Sequence, residues 1–369
     1  MTVRTVVSPP ARLVARSLVR ARTAAWPDYS RLFAVGDLAG WSTGEDAVHV
    51  EEAAARLGYT PGPARWARFA SRQCVFLTSH FDALSPRWLE SSHRLGTAYL
   101  HGRPGTPGAP EFDDAFHALR RAPGRVSRIQ VTHAEMLELV LAAGVPRERV
   151  FRIPIGIDIA SFPFRTPELR ATARAELGLP ASAFVVGSFQ KDGIGWSDGL
   201  EPKLVKGPDV LVDALGRIAR GAPELHVLLT GPARGYVKRG LECRQIPYRH
   251  TYARSRAELA RAYHALDVYL VSSRQEGGPK AVLESLATGV PLVTTRVGQA
   301  PELVVDGRDG WLVDVDDAEA LAARTLAVHS STSEIDPAVG RAKAESYALE
   351  RFDDLWGALL SGFVARKSL

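Results

Sequence analysis

Short runs rich in β-branched and aromatic residues recur along this chain, most of them followed by a stretch of helical periodicity, and the alternation occurs in two successive series. The first series has strands near Leu32–Val35, Val75–Thr78, Ala98–His101, Ile129–Thr132 and Val150–Ile155. The second has strands near Phe184–Gly187, His226–Thr230, Val268–Val271, Pro291–Thr294 and Trp311–Val313. Helical segments such as Leu137–Ala143 and Ala257–Ala265 fall between them. A strand can join a parallel neighbour only through a long crossover, so this alternation predicts parallel sheets covered by helices. At about 150 residues per domain, 369 residues suit two such cores.

The expected organisation is α/β throughout, with two Rossmann-like domains whose parallel sheets face each other across a cleft. Residues 1–160 form the first domain, which closes at Ile155-Gly156-Ile157-Asp158. Residues 161–182, with Pro163, Pro167 and Pro180, are read as a linker. Residues 183–345 form the second domain, and 346–369 a final helix that crosses back to the first. Ligands of such folds sit in the crevice beyond the carboxyl ends of the strands.

Composition removes several classes of function. No apolar run approaches the roughly 18 residues that span a bilayer. Cys74 and Cys243 are the only cysteines, and neither has a CxxC partner. A redox motif, a zinc site or a disulfide scaffold is therefore not expected, and a reducing, cytoplasmic location is. The net charge of +5 is modest, and no basic stripe interleaved with aromatics suggests nucleic acid. The start is unusual: Arg4, Arg12, Arg16, Arg20 and Arg22 all precede the first acid, Asp28. That is no secretory signal, because Arg12 and Arg16 interrupt the apolar stretch. Residues 1–28 are read either as a solvated helix packed on the first domain or as a peripheral contact with anionic lipid.

The segment from Ser272 to Ser285, SSRQEGGPKAVLES, carries the chemistry. A strand ends at Ser273, Gly277 and Gly278 follow, and Pro279 stands where a first helical residue belongs. The helix should stop at Gly289 in a left-handed turn. A helix start with bare glycines beside it, at the top of a sheet, is a ready anion site, since its N–H groups lack partners and its dipole is positive. Glu276 and Glu284 bracket it. Eight helical steps rise about 12 Å, so the two carboxylates are no close acid/base pair. They suit separate groups of hydroxyls on one extended ligand, as in a sugar diphosphate ribonucleoside.

The block from Glu276 to Val313 resembles the retaining GT-B glycosyltransferases of family 4, whose signature is two glutamates separated by seven residues. Gly289-Val290-Pro291-Leu292-Val293, Glu302–Gly307 and Gly310–Val313 are similar to that family too, and the likeness is clearest over residues 184–315. The resemblance implies an acceptor domain followed by a nucleotide-sugar domain. It implies that Glu276 contacts hydroxyls of the donor sugar, that Glu284 holds the ribose, and that the amides of Gly277 and Gly278 bind the distal phosphate. Lys206 matches the lysine that neutralises the departing diphosphate. The family's usual arginine is absent after the first strand of this domain, where Lys191 or Lys203 is the candidate replacement, with an insertion around Gly195 and Trp196 before Lys206.

His101, in Tyr99-Leu100-His101-Gly102, is placed to face the donor sugar, or is a loop histidine bound to backbone. His80 and His133 are weaker candidates. The resemblance implies that Gly36 or Gly40 approaches the diphosphate, the alternative being a plain βα turn; Gly36-Asp37-Leu38-Ala39-Gly40 is no dinucleotide fingerprint. Tyr248, with Arg249, is read as preceding a helix where relatives bind the base. The expected activity is transfer of a sugar, most simply a hexose, from a nucleoside diphosphate to a hydroxyl of a glycan, lipid or small natural product. No metal or other cofactor is expected. A GT-B phosphorylase, an epimerase and a catalytically silent nucleotide-binding subunit are the alternatives.

Overall fold

A computed structural model describes residues 17–366 except 22, 25, 37–41 and 333. Most of the basic start, and Gly40 with it, lies outside the described residues. The chain forms two compact units: Met1–Tyr99, Glu111–Ile153 and Asp353–Leu369 make the first, and Leu100–Pro110 with Pro154–Phe352 the second.

The first unit is built on a parallel sheet of β1 (Leu32–Val35), β2 (Cys74–Leu77), β3 (Arg94–Ala98), β4 (Val126–Val131) and β5 (Val150–Arg152), side by side in chain order. Phe33, Val75, Phe76, Leu77, Leu95, Ile129 and Val131 have no exposed surface. Such continuous apolar strands belong to a sheet covered on both faces. The end of the chain packs here: Trp356, on the helix Asp353–Leu360, meets Phe76 edge-on with centroids 5.7 Å apart. Arg56 pairs with Asp353 at 2.7 Å, and Ala365 N donates to Tyr29 O. β3 lies earlier than the expected Ala98–His101. Its sequence, Arg-Leu-Gly-Thr-Ala, is poor in strand formers, and Gly96 is dictated by neighbours, since a Cβ there would lie 2.8 Å from the Phe76 ring.

The second unit has the order β11-β10-β9-β6-β7-β8, all parallel. The strands are β6 (Phe184–Ser188), β7 (Leu225–Thr230), β8 (Tyr248–Thr251), β9 (Val268–Val271), β10 (Leu292–Thr295) and β11 (Trp311–Val313). One face is covered by the helices Pro208–Gly221 and Ala318–His329 through Val210, Leu211, Leu215 and Leu321. The other is covered by Pro167–Leu177, Arg256–His264, Lys280–Thr288 and Pro337–Ser346 through Ala173, Tyr263, Leu286 and Ala344. Strand order reverses between β6 and β9. The carboxyl ends of strands flanking such a reversal diverge and leave room for a ligand.

Two expectations change. Residues 161–182, read as a linker, hold the helix Pro167–Leu177, and the buried Arg174 on it binds the carbonyls of Ala181, Ala183 and Ala265 and the Asp267 carboxylate. β8 had no counterpart in the sequence reading, because this edge strand is only partly buried and has no apolar run to betray it.

Candidate active site

The site grows from the ends of β6 and β9. Past β9, Ser272 and Ser273 are buried, and Thr295 at the end of β10 donates to Ser273 O at 2.6 Å. The chain then turns: the N–H groups of Arg274 and Gln275 both donate to Val205 O. Ser272 Oγ donates to Gly207 O at 3.0 Å. Only glycine fits at 207, where φ is +60° and a Cβ would lie 1.9 Å from Ser272 O. This close backbone approach delivers Lys206 to Glu276, with Nζ 2.5 Å from Oε1.

Glu276 is nearly buried, its side chain 10% exposed. Burial alone would raise its carboxyl; the Lys206 ammonium, the Ser273 hydroxyl and the charge of His101 outweigh that and hold it below the ordinary carboxylate value. Ser273 Oγ lies 2.8 Å from Glu276 Oε1 and 2.7 Å from the side chain of Gln190, just past β6. The contact therefore spans the strand-order reversal. Lys206 and Ser273, from separate parts of the sequence, thus meet on one oxygen of the Glu276 carboxylate, and His101 acts on it through its charge.

The helix after Glu276 starts at Lys280, one residue later than expected, with Pro279 as its cap residue and no capping side-chain bond from it. It ends at Gly289, with φ +70°. Glu284 lies within it, and the fully buried Tyr263 hydroxyl donates to Glu284 Oε2 at 2.8 Å. Burial and then the Glu284 charge push the Tyr263 phenol well above its ordinary value. Gly277 is packed against the Leu100–Pro110 loop, where a Cβ would lie 2.4 Å from Leu100 Cβ. Gly278 faces Ile155 and Gln299. The glycines thus serve close chain packing at the helix entry, in addition to any role toward a phosphate.

Other sequence candidates are placed differently. Lys191 Nζ lies over the Trp196 ring, 4.4 Å from its centroid, so it is engaged by the insertion. A fixed arginine does stand near the end of β6, but it is Arg234. It is buried, and its guanidinium binds Ser188 O, Thr230 O and the Asp192 carboxylate. Tyr248 does not immediately precede a helix. It opens β8 and pairs with Val227, three positions before the carboxyl end at Thr230–Thr251, and its hydroxyl binds Glu242 at 2.6 Å. That bond pushes its phenol up to about 12. Gly36 follows β1, and His80 and His133 are buried, all in the first unit. Among the described residues no three His, Cys, Asp or Glu side chains form a metal-binding group, and no helix is long and apolar enough to cross a membrane.

Sequence reasoning missed Ser273, Gln190, Gln275 and Tyr263. Ser273 and Gln275 flank the motif closely enough to be suspected. Tyr263, on a neighbouring helix, gave no signal.

Residues 194–331 match the family model described as Glycosyl transferases group 1. The D-inositol 3-phosphate glycosyltransferase of Mycolicibacterium gilvum is 31% identical over 245 residues, 63% of this chain and 50% of that protein. The enzyme of that name from Segniliparus rotundus is 31% identical over 175 residues, 45% of this chain and 36% of its own length. The chain thus spans half or less of the length of these curated relatives. Among solved structures, Anabaena Alr3699/HepE in complex with UDP-glucose superimposes with a TM-score of 0.71 at 16% identity, covering 90% of this chain and 99% of that one. Sucrose-phosphate synthase from Thermosynechococcus elongatus gives 0.68 at 17% identity, covering 90% and 98%. The chain therefore has the two-sheet, parallel α/β fold of the GT-B glycosyltransferases, and the match to the group 1 model falls within its second unit.

Proposed function

We propose that this protein is a retaining glycosyltransferase that moves a sugar, most simply a hexose, from a nucleoside diphosphate to an acceptor hydroxyl. The observation that carries the reading is the meeting of Lys206 and Ser273 on the Glu276 carboxylate, beside the start of the helix that carries Glu284. Curated relatives with glycosyltransferase names and a structural neighbour solved with UDP-glucose support it.

In this reading Glu284 grips the ribose, oriented by Tyr263. The amides at Gly277, Gly278 and the helix start, together with Lys206, receive the diphosphate. Glu276, kept ionised by its neighbours, accepts hydrogen bonds from the donor sugar, and His101 sits on the reacting side. The bond from the anomeric carbon to the phosphate oxygen breaks, the acceptor oxygen bonds to that carbon on the same face, and the acceptor proton passes to the departing phosphate. The leaving group's charge dominates the barrier, and fixed donors aimed at it are the largest catalytic term available. No protein nucleophile and no metal are needed, since Lys206 and the helix amides carry that charge. We also place the protein in the cytoplasm, with the acceptor a glycan, lipid or small natural product.

The test is product analysis. Wild-type protein is incubated with UDP-, GDP-, ADP- and dTDP-hexoses and a panel of hydroxyl acceptors, and the anomeric proton of the product is read by NMR. Transfer with the donor's own anomeric configuration is expected. An inverted product refutes retention, and no transfer from any donor removes the transferase reading.

A further inference from the structure

We infer that Gln275 is a positioning residue that clamps the Leu100–Pro110 loop, and so sets the place of His101 beside Glu276. The inference deepens the transferase reading and rests on it for its catalytic consequence, though not for the clamp itself. The Gln275 backbone is fixed from below, its N–H donating to Val205 O. Its side-chain oxygen then accepts from two successive backbone N–H groups of the loop, Gly102 at 3.1 Å and Arg103 at 3.0 Å. Its side-chain nitrogen donates to Thr106 Oγ1 at 2.6 Å, and that hydroxyl donates onward to Arg103 O at 2.7 Å.

The hydrogens in this group account for one another. Two N–H donors on one side require the amide oxygen there, which turns the amide nitrogen toward Thr106. The Thr106 proton is committed to Arg103 O, so its lone pair is available to accept. A side chain that meets three loop groups in one consistent pattern fixes both the height and the tilt of the loop. His101 directly precedes the first clamped amide, and Gln275 directly precedes Glu276. One short peptide segment therefore holds the carboxylate and the mount of the imidazole whose charge acts on it. Gly277 completes the seat, because its missing Cβ admits Leu100 at the root of the same loop. Misplacing a reacting group by about 1 Å can cost a hundredfold in rate, so a mount of this kind is under functional constraint.

The test uses the full chain with Gln275→Met, which keeps length and shape but no polar group, and Thr106→Val, which removes one contact only. Hydrogen exchange of the peptide spanning residues 100–110 should quicken by about tenfold or more in Gln275→Met and by less in Thr106→Val, with the rest of the chain unchanged. This readout needs no activity. Unchanged exchange in this peptide overturns the clamp.

In the donor assay, kcat should fall by about tenfold or more while the Kd for UDP stays within about twofold, because the clamp serves the reacting side and not nucleotide affinity. Gln275→Met added to His101→Ala should lower kcat little beyond His101→Ala alone, since the two act through one group. Faster loop exchange with unchanged kcat, or fully additive losses, overturns the positioning role. Wild-type protein that binds UDP and transfers nothing tells against the transferase reading, and the exchange result still decides the clamp.

Discussion

Lys206 Nζ lies 2.5 Å from Glu276 Oε1, although the two are 70 residues apart in the chain. The turn at Gly207 and the end of β9 bring them together, and the pair decides the charge of a nearly buried acid. Lys206→Met removes the strongest group opposing burial, so the Glu276 carboxyl should rise. The acid limb of the kcat/KM profile, which reports loss of the ionised carboxylate, should move to higher pH. At neutral pH kcat should fall by about a hundredfold or more, in line with loss of one donor to a developing anion. A limb that stays in place would show that Lys206 does not control Glu276.

Tyr263 governs the other glutamate. Tyr263→Phe removes the hydroxyl that donates to Glu284 Oε2. A hydrogen bond to a charged group contributes ~1.5–3 kcal/mol, so UDP affinity measured calorimetrically should weaken by about tenfold or more. The kcat at saturating donor should change little. A fall in kcat with unchanged affinity would contradict the assignment of Glu284 to the nucleotide.

Most of the fold was legible from the sequence, because buried parallel strands must be written as apolar runs between helices. What was lost has a physical reason in each case. β8 is partly polar at a sheet edge, so nothing in the sequence marks Tyr248 as lying on a strand. β3 hides behind Gly96, which Phe76 requires. The candidate acids are legible because their motif is local, and Lys206 and His101 because the chain around them resembles a known family. The groups that orient them are not, since Gln190, Tyr263 and the Gln275–Thr106 contact depend on which chain ends meet at the strand reversal. Position along the chain points to Lys191, whereas its partner, Trp196, lies in an insertion with no pattern to read.

Arg274 offers a test of stability separate from catalysis. Its guanidinium meets both oxygens of Asp209, at 2.8 and 2.7 Å, and also Asp316 at 2.6 Å. It thereby ties the exit of β9 to the first turn of the helix Pro208–Gly221. The hydrogen bonds from Arg274 hold the Asp209 carboxyl below the ordinary carboxylate value. A depressed carboxyl contributes stability above its unfolded value, and that contribution is lost as pH falls through the folded one. Arg274→Met should therefore cost about 1 kcal/mol at neutral pH, the pair being partly open to solvent. The gap between wild type and variant in urea unfolding should close as pH falls through the depressed value of the folded carboxyl. A gap that is constant across pH would contradict the ion pair as its source.

Calorimetric titration of UDP, GDP, ADP and dTDP into wild type, Glu284→Ala and Glu276→Gln tests the nucleotide-sugar site most directly. One nucleotide should bind wild type, bind Glu276→Gln about as well, and lose its heat of binding in Glu284→Ala. Failure of all four to bind wild type, or equal binding to Glu284→Ala, would contradict it.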